Sequence, residues 1–442
     1  MTPVQPVRGT QSLYGLQADR FHRVVSAFND VRRLYRFRRV EVPVFEATEV
    51  FARAIGETTD IVSKEMYTFP DKGGENLTLR PEFTAGIARA FISEGWRQHV
   101  PFKAATWGPA FRYERPQKGR FRQFHQIDAE VIGAAESAAD IELLAFAHQF
   151  LERLVVRELT ELRINTLGDA ESRTKWRAAL VRYFQRFRSD LTDESKIRLQ
   201  TNPLRILDSK DPRDREIAKD APRIDGHLTS EAGAIFEDVL KGLEDLGIPF
   251  RRDHSLVRGL DYYRHTTYEF VTSHLGAQGA VLGGGRYDGL IEAMGGEPTP
   301  AVGWAAGIER LALLLPDRRT YAQIIAIVPE NEASEVLAQK IAYRLRLEGV
   351  IVDYLYRGAA RKRIEKYQRR GVTTALFVEA IHDHPGVLGT LNIKHYRRFG
   401  HDTEQRISKR LSSIFNVLKI FDVEAEGTFR GRKVDLLLRP LA

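Results

Sequence analysis

Residues 107–131, WGPAFRYERPQKGRFRQFHQIDAEV, read as two strand-like segments joined by a polar, cationic loop. Pro116 and Gly119 interrupt regular structure there, while Arg112, Arg115, Lys118, Arg120 and Arg122 crowd five cations into eleven positions. Their mutual repulsion asks for an anionic ligand, and phosphate is the obvious one. Past the loop the residues alternate as in a strand, with Arg122, Phe124, Gln126, Asp128 and Glu130 on one face and Phe121, Gln123, His125, Ile127 and Ala129 on the other. One face therefore carries cations at its loop end and carboxylates further in. Gln126 and Glu130 lie roughly 13 Å apart along such a strand, at about 3.3 Å per residue, so converging side chains could grip opposite ends of a small zwitterion. A solvated, charged hairpin satisfies the same pattern, because a polar strand face commonly looks at water.

The whole chain, 442 residues and 50.3 kDa, is long enough for two or three domains with proper cores. Its 43% hydrophobic and 29% charged content belongs to a globular rather than a disordered protein. The net charge of +8 fits a polyanionic partner, nucleic acid or an acidic surface, and equally fits plain solubility. Its distribution says more: residues 321–442 hold 21 Lys and Arg against 14 Asp and Glu, nearly the whole excess. Without cysteine the chain has neither disulfide nor thiolate metal site, which suits a reducing cytosol. MTPVQPVRGTQSLYG lacks an apolar signal core, and no run approaches the roughly 18 apolar residues of a membrane span. A soluble, cytoplasmic protein without membrane contact is expected.

In chain order, Asp19 to Tyr35 repeats Phe21, Val24, Val25, Phe28, Val31 and Leu34 at helical spacing. Arg39 to Phe45, RVEVPVF, alternates like a strand, yet Pro43 removes a ladder hydrogen bond and belongs at an edge, which a second subunit could cover. In NLTLRPEFTAGIARAFI a strand ends at Pro81 and a helix begins near Thr84. Glu82 and Thr84 then either cap that helix at its positive dipole end or face a ligand. Ala138 to Arg157 reads as a long amphipathic helix and ELRINTLG as a strand. Glu171 to Leu246 is charged, helical in period and ends at Gly247; it reads as an insertion whose basic surface meets nucleic acid or solvent.

Leu256 to Val271 reads as two strands, and Arg258, Gly259, Asp261, Tyr262 and Tyr263 suit a buried polar ligand better than a plain core strand. In GAVLGGGRYDGLI, Gly283 to Gly285 permit a close backbone approach or mark a bulge, and match neither the Walker loop nor the dinucleotide fingerprint. AVGWAAGIERLALLL passes through Gly303 and Gly307 into an apolar helix with one cation, Arg310. Arg310 is ill placed for the helix dipole and so asks for a stronger anionic partner.

Taken together and in this order, RGTQSLYG, TLRPEFTAG, FRYERPQKGRFRQFHQIDAE, LVRGLDYY, GGGRYDGL and AVGWAAGIERL resemble histidyl-tRNA synthetase, a class II aminoacyl-tRNA synthetase, over residues 8 to about 315. LVRGLDYY and GGGRYDG set the histidine enzymes apart; the arginine loop and the Gly-Ile-Glu-Arg helix are shared more widely. The resemblance implies an α+β catalytic domain, an antiparallel sheet flanked by helices, at 1–170 and 247–318. It further implies a helical insertion at 171–246, a C-terminal α/β anticodon-binding-like domain at 319–442, and a homodimer with Pro43 at the interface.

By matching motif positions, the resemblance places Glu82, Thr84, Gln126, Glu130, Tyr262, Tyr263 and Tyr287 around L-histidine. Arg112, Glu114, Arg120 and Arg310 would hold ATP, Arg258 and Arg112 would be catalytic, and Mg2+ would arrive on the ATP phosphates without an assigned protein site. The implied reaction forms histidyl-adenylate and pyrophosphate, then passes histidine to the 3′ end of tRNA(His). Histidine's carboxylate is already a nucleophile, so attack needs positioning and cancellation of charge, which Arg112 and Arg258 can supply. Glu130 with a tyrosine hydroxyl can satisfy both imidazole nitrogens.

Two departures stand out. Phe83 occupies a position where many relatives carry glycine, which is expected to alter the pocket roof. After Tyr321, QIIAIVP, a helix from Ala333 to Leu347, VIVDYLY, a basic helix from Ala359 to Arg370 and TTALFVE alternate as β-α-β-α-β. Beyond them NIKHYRRFG, a helix from Thr403 to Phe421 and GTFRGRKVDLLLR leave the family pattern. Arg357, Arg361, Lys362, Arg363, Lys366, Arg369 and Arg370 form a phosphate footprint or a solvated face. The rival is a non-catalytic, histidine-sensing regulatory paralogue; such proteins typically lack the C-terminal domain and the LVRGLDYY arginine, and this chain carries both.

Overall fold

In the computed structural model the described residues are 3–56, 59–117, 119–258, 260, 262–276, 279–316, 324–347, 349–354, 356, 372–380, 389–395, 421–424 and 434–440. The chain divides into two units, Met1–Pro316 and Asp317–Ala442.

The first apolar repeat folds as α1 (Leu16–Leu34), burying Val24, Val25, Phe28 and Val31. After β1 (Arg38–Arg39) the continuous strand expected through Phe45 does not form. The chain leaves the sheet before Pro43, which has no N–H to offer, and resumes as β2 (Phe45–Ala47). The carbonyls of Val42 and Pro43 are taken instead by Arg80 Nη1, at 2.7 and 3.2 Å. Next come α2 (Thr48–Ile55), β3 (Tyr67–Pro70), β4 (Asn76–Leu79) and α3 (Thr84–Ser93). The opening stretch is a long hairpin, β5 (Phe102–Phe111) and β6 (Gln123–Ile132), paired from Phe102↔Ile132 to Phe111↔Gln123. Gly119, at φ +74°, makes its turn.

α4 (Ser137–Arg153) and β7 (Glu161–Thr166) follow, then α5 (Ala170–Gln185), α6 (Asp193–Thr201), α7 (Pro212–Ala218) and α8 (Ser230–Asp245). These four helices start where the sequence supplies a cap: Asp169, Thr192, Asp211 and Thr229 each accept a first-turn N–H. β8 (Arg251–Arg252) and β9 (Arg264–Val271) come next. Among the described residues, 256–271 holds one strand rather than two; Tyr262 and Tyr263 are consecutive and both line the cavity described below, which strand alternation forbids. β10 (Ala280–Arg286), α9 (Leu290–Ala293), β11 (Ala301–Gly307) and α10 (Ile308–Leu314) close the unit. The main sheet runs β1-β5-β6-β11-β10-β9-β7-β8 and is antiparallel except for its edge pairs, β1 with β5 and β7 with β8. This is the helix-flanked antiparallel sheet expected.

The two faces of β6 part as the alternation requires. Ile127, Ala129 and Val131 enter a hydrophobic cluster with Phe28, Phe146, Phe150 and Trp304, beneath α1, α4, α8 and α10. The rings of Phe150 and Trp304 stack at 6.1 Å, and Trp304 Nε1 donates to Leu143 O at 3.2 Å. Each such fully buried side chain contributes about 1.5–3 kcal/mol. Phe236, Val239 and Leu243 of α8 belong to that cluster, so the last helix of the expected insertion packs with the sheet itself. α5 contributes Trp176, Leu180 and Phe184 to a second cluster with Phe51, Phe83 and Phe91. Gln126, Asp128 and Glu130 are left on the opposite face of β6.

In the second unit β12 (Ile324–Pro329), α11 (Glu335–Leu347), β13 (Ile351–Tyr354) and β14 (Val372–Ala380) form a parallel β-α-β arrangement, with β12 between β13 and β14. Leu337, Ile341 and Leu345 of α11 pack on Ile325, Ile327, Leu376 and Val378. β15 (Gly389–His395), β16 (Phe421–Glu424) and β17 (Val434–Pro440) extend the sheet in the order β13-β12-β14-β15-β17-β16. Phe421, expected to end a helix, begins a strand. The basic helix expected at Ala359–Arg370, with Arg357, Arg361, Lys362, Arg363, Lys366, Arg369 and Arg370, lies outside the described residues, as do 403–420.

β10 is tied to α4 by a fully buried ion pair. Arg286 Nε donates to Asp140 Oδ2 at 3.1 Å, its Nη2 joins the same oxygen, and Nη1 reaches Ala134 O at 2.9 Å. Asp140→Ala would leave this guanidinium with Asp288, 3.3 Å from Nη1, as its remaining carboxylate, and should lower unfolding free energy by up to about 3 kcal/mol in a denaturant titration; a loss under about 1 kcal/mol would show that the pair is dispensable.

A candidate active site on the polar face of the sheet

All twelve residues singled out as site residues line one cavity of about 330 Å³: Glu82, Thr84, Arg112, Glu114, Arg120, Gln126, Glu130, Arg258, Tyr262, Tyr263, Tyr287 and Arg310. It lies over the polar face of β6, with acids and phenols at one end and guanidinium groups at the other.

At the acidic end Glu130, 1% exposed, accepts from Thr84 Oγ1 at 2.7 Å on Oε1 and from Tyr287 OH at 2.6 Å on Oε2. Its neighbour in register is Gly303, where an added Cβ would fall 1.3 Å from Oε2. The carboxyl therefore occupies space that any side chain on β11 would take. Burial pushes the Glu130 carboxyl up to about 7, against the pull of its hydroxyl donors. Glu82 combines the two alternatives left open for it. Its oxygens accept from Thr84 N at 2.7 Å and Ala85 N at 2.9 Å, capping α3, and it also lines the cavity. Burial raises its pKa too. Tyr262 lies 4.6 Å from Tyr263 and 5.5 Å from Tyr287, centroid to centroid, and burial raises all three phenols above their ordinary value, so they stay neutral donors.

Arg258 stands between the two ends, paired with Glu269 and 5.2 Å from the Tyr263 ring centroid. Burial opposes its charge, but Tyr263 and Glu269 outweigh burial and hold its pKa above the usual guanidinium value. Gly283 gives it room, since a Cβ there would meet Nη1 at 2.6 Å. The glycine run is also a bulge, the register with β9 shifting between Gly285 and Arg286. Gly259 and Asp261 lie outside the described residues.

At the cationic end Arg112 Nε donates to Pro81 O at 2.9 Å and its guanidinium lies 5.4 Å from the Phe124 ring centroid. Arg120 Nη1 sits 2.8 Å from Glu114 Oε2, and Arg310 Nη1 donates to Ala280 O at 2.6 Å. Burial, then the like charge of Arg120, lowers the Arg310 pKa. The anion trap is thus narrower than the loop sequence suggests. Arg122 lies over the Tyr113 ring at 3.8 Å and Arg115 is exposed; among the described residues, which do not include Lys118, the cations that line the cavity are Arg112, Arg120, Arg258 and Arg310.

Phe83, expected to alter the pocket roof, does not itself line the cavity. Its fully buried ring lies under the Arg80 guanidinium, 4.1 Å away. Sequence reasoning passed over Glu269 and Glu309. Glu269 is a single carboxylate in an otherwise ordinary strand, and its partner Arg258 reaches it through a loop that no periodicity describes. Glu309 accepts from His125 N at 3.0 Å and from His125 Nδ1 at 2.8 Å, pinning α10 to β6. Among the described residues no cluster of three or more acids and histidines is placed to hold a metal, and no helix is long and apolar enough to cross a membrane.

An eight-stranded, largely antiparallel sheet with helices on it and this cavity on its polar face has the class II aminoacyl-tRNA synthetase fold. The histidyl-tRNA synthetase family model matches residues 9–311. The chain is 57% identical over 376 residues to the histidine–tRNA ligase of Novosphingobium aromaticivorans, covering 84% of this chain and 90% of that protein. With the histidine–tRNA ligase of Gluconacetobacter diazotrophicus it shares 51% identity over 378 residues, 86% of this chain and 91% of that one. The crystal structure of apo S. aureus histidyl-tRNA synthetase matches with a TM-score of 0.71 at 29% identity, covering 89% of this chain and 95% of that one. A Bacillus halodurans protein described as an ATP phosphoribosyltransferase regulatory subunit/histidyl-tRNA synthetase shares the fold at a TM-score of 0.60 and 22% identity, over 82% of this chain and 96% of that one. The chain belongs to the histidyl-tRNA synthetase family.

The raised Glu130 carboxyl carries a stability consequence whose sign is fixed. Unfolded, it ionises near 4.5; folded, it keeps its proton until about 7, so the folded state binds more protons between these values and wild-type stability falls as pH rises through them. Glu130→Gln, which cannot ionise, should gain stability relative to wild type from pH 4.5 to pH 8, by at most about 3 kcal/mol. Parallel stability curves for the two proteins would show that Glu130 titrates normally.

Proposed function

We propose that the chain is a histidine–tRNA ligase, which activates L-histidine with ATP to histidyl-adenylate and pyrophosphate and transfers histidine to the 3′ end of tRNA(His). The observation that carries this reading is the meeting of all twelve residues in one cavity, buried acids and phenols at one end and four guanidinium groups towards the other. Histidine lies with its imidazole at Glu130 and the tyrosines. Gln126 Oε1, buried and without a hydrogen-bond partner among the described residues, is an acceptor free for the ammonium group, beside Glu82 and Thr84. The carboxylate then points to Arg258 and Arg112. ATP lies at the loop end against Arg112, Glu114, Arg120 and Arg310, bringing its Mg2+ as part of the substrate; an ion carried on phosphate oxygens needs at most one or two protein carboxylates.

A carboxylate oxygen of histidine attacks the α-phosphorus in line, and the bond to the pyrophosphate oxygen breaks. No proton has to move. Arg112 and Arg258 reduce the repulsion between the two anions and stabilise the charge that gathers on the α-phosphoryl oxygens. The tRNA hydroxyl next attacks the activated carbonyl carbon, and AMP departs. Arg258, present and paired with Glu269, and the second α/β unit favour the ligase over a histidine-sensing paralogue. The second unit would serve the anticodon end of the tRNA, and a homodimer, joined near Pro43 where β1 forms a sheet edge, is the working form, in the cytoplasm.

Histidine-dependent exchange of pyrophosphate into ATP tests the activity, and its absence from pure, folded protein would overturn the ligase reading. Arg258→Ala should slow adenylate formation about 100- to 1,000-fold while the histidine Kd changes only a few-fold; equal losses in both would make Arg258 a structural residue. Sedimentation should give twice the mass of one chain, and a monomer active in exchange would remove the dimer from the scheme.

A further inference from the structure

Asp128 stands between Gln126 and Glu130 on the cavity face of β6, yet no step above uses it. It is 1% exposed, and neither carboxyl oxygen has a hydrogen-bond donor among the described residues. Its neighbours in register are Thr106 on β5 and Ala305 on β11, and Thr106 Oγ1 is itself buried without a partner. The charged groups that face Asp128 are Glu130 of its own strand, Glu82 ahead of α3, and Arg80 after β4. Arg80 is already committed, through Nε to Pro109 O at 2.8 Å and through Nη1 to Val42 O at 2.7 Å. An ionised Asp128 would therefore be a buried charge with no donor, beside two further buried carboxyls.

Glu130 is in the opposite position. Both of its oxygens receive hydroxyl hydrogen bonds, which favour the charged form. Asp128 reaches it directly, carboxyl to carboxyl, and two such groups can approach only if a proton lies between them. With donors at one group and none at the other, that proton belongs to Asp128.

We propose that Asp128 is a positioning residue that stays protonated at working pH, donates its hydroxyl to Glu130, and so leaves Glu130 as the single charge at the histidine end of the cavity. A carboxylate has about four acceptor sites. Thr84, Tyr287 and Asp128 take three of Glu130's, leaving one acceptor for one imidazole N–H. The histidine part of this inference rests on the proposed function; the shared proton does not.

The two parts are tested separately. Infrared difference spectra of the ligand-free protein at pH 8 should show a protonated-carboxyl stretch that is lost in Asp128→Asn, and that shifts when aspartate carboxyls are isotope-labelled in the wild type. No aspartate-dependent band would overturn the proposal whatever the kinetics, and the labelled wild type decides this even if the variant fails to fold. In pyrophosphate exchange, Asp128→Asn keeps a donor and should leave the acid limb of kcat/KM for histidine close to that of the wild type. Asp128→Ala should move the acid limb of kcat/KM for histidine up by about one pH unit, lowering kcat/KM about tenfold at pH 6 and only about twofold at pH 8, since a lost hydrogen bond to a charged group is of that size. Titration of free histidine is common to all three proteins and cancels in the comparison. Equal limb shifts in both variants, or an unchanged limb in Asp128→Ala, would overturn the positioning role. No exchange from wild type, with the infrared band present, would count against the ligase reading alone.

Discussion

The cavity depends on keeping a carboxylate available inside a sheet, away from water. Transfer of an ion to such a place is costly unless donors are already aimed at it. Glu130 meets that condition through hydroxyls from two elements far apart in the chain, Thr84 at the start of α3 and Tyr287 after β10. The vacancy at Gly303 lets the carboxyl lie against β11. On the other side of the sheet Phe28, Phe146, Phe150 and Trp304 pack with Ile127, Ala129 and Val131 of β6 in one buried cluster. The hydrophobic face and the polar face of one strand thus do complementary work: one supplies stability, and the other spends some of it.

The cationic end follows the inverse logic. Four guanidinium groups border one space, and their repulsion is tolerated because each has a local anchor: Pro81 O for Arg112, Glu114 for Arg120, Glu269 for Arg258 and Ala280 O for Arg310. The anchors orient the groups without filling the cavity between them. Under the proposed function, a polyphosphate entering there would replace repulsion with charge-assisted hydrogen bonds to groups already oriented.

Much of this was legible in the chain. The 3.6-residue repeat from Phe21 to Leu34, the alternation through β6, and the caps Asp169, Thr192, Asp211 and Thr229 are local, so the sequence states them directly. The motif set likewise marked twelve residues that line the cavity, though not Glu269 or Glu309, which line it too. Where local reading failed, a distant partner was the reason. Pro43, with no N–H to offer, lies outside any strand, and Arg80, on another segment, takes the carbonyls of Val42 and Pro43. Arg122, grouped with the loop's anion-binding cations, lies over Tyr113 instead, and Phe83 packs on the Arg80 guanidinium.

The sequence by itself therefore determined the family, the helix-flanked antiparallel sheet, and which residues carry charge and hydroxyls on each face of β6. Only the tertiary structure decided how those groups are paired: Glu130 with Thr84 and Tyr287, Arg258 with Glu269, His125 with Glu309, and Asp128 with no donor of its own. The physical reason is that protonation and hydrogen bonding depend on desolvation and on contacts across strand register. Periodicity along one strand says which face a residue occupies. It does not say what waits there.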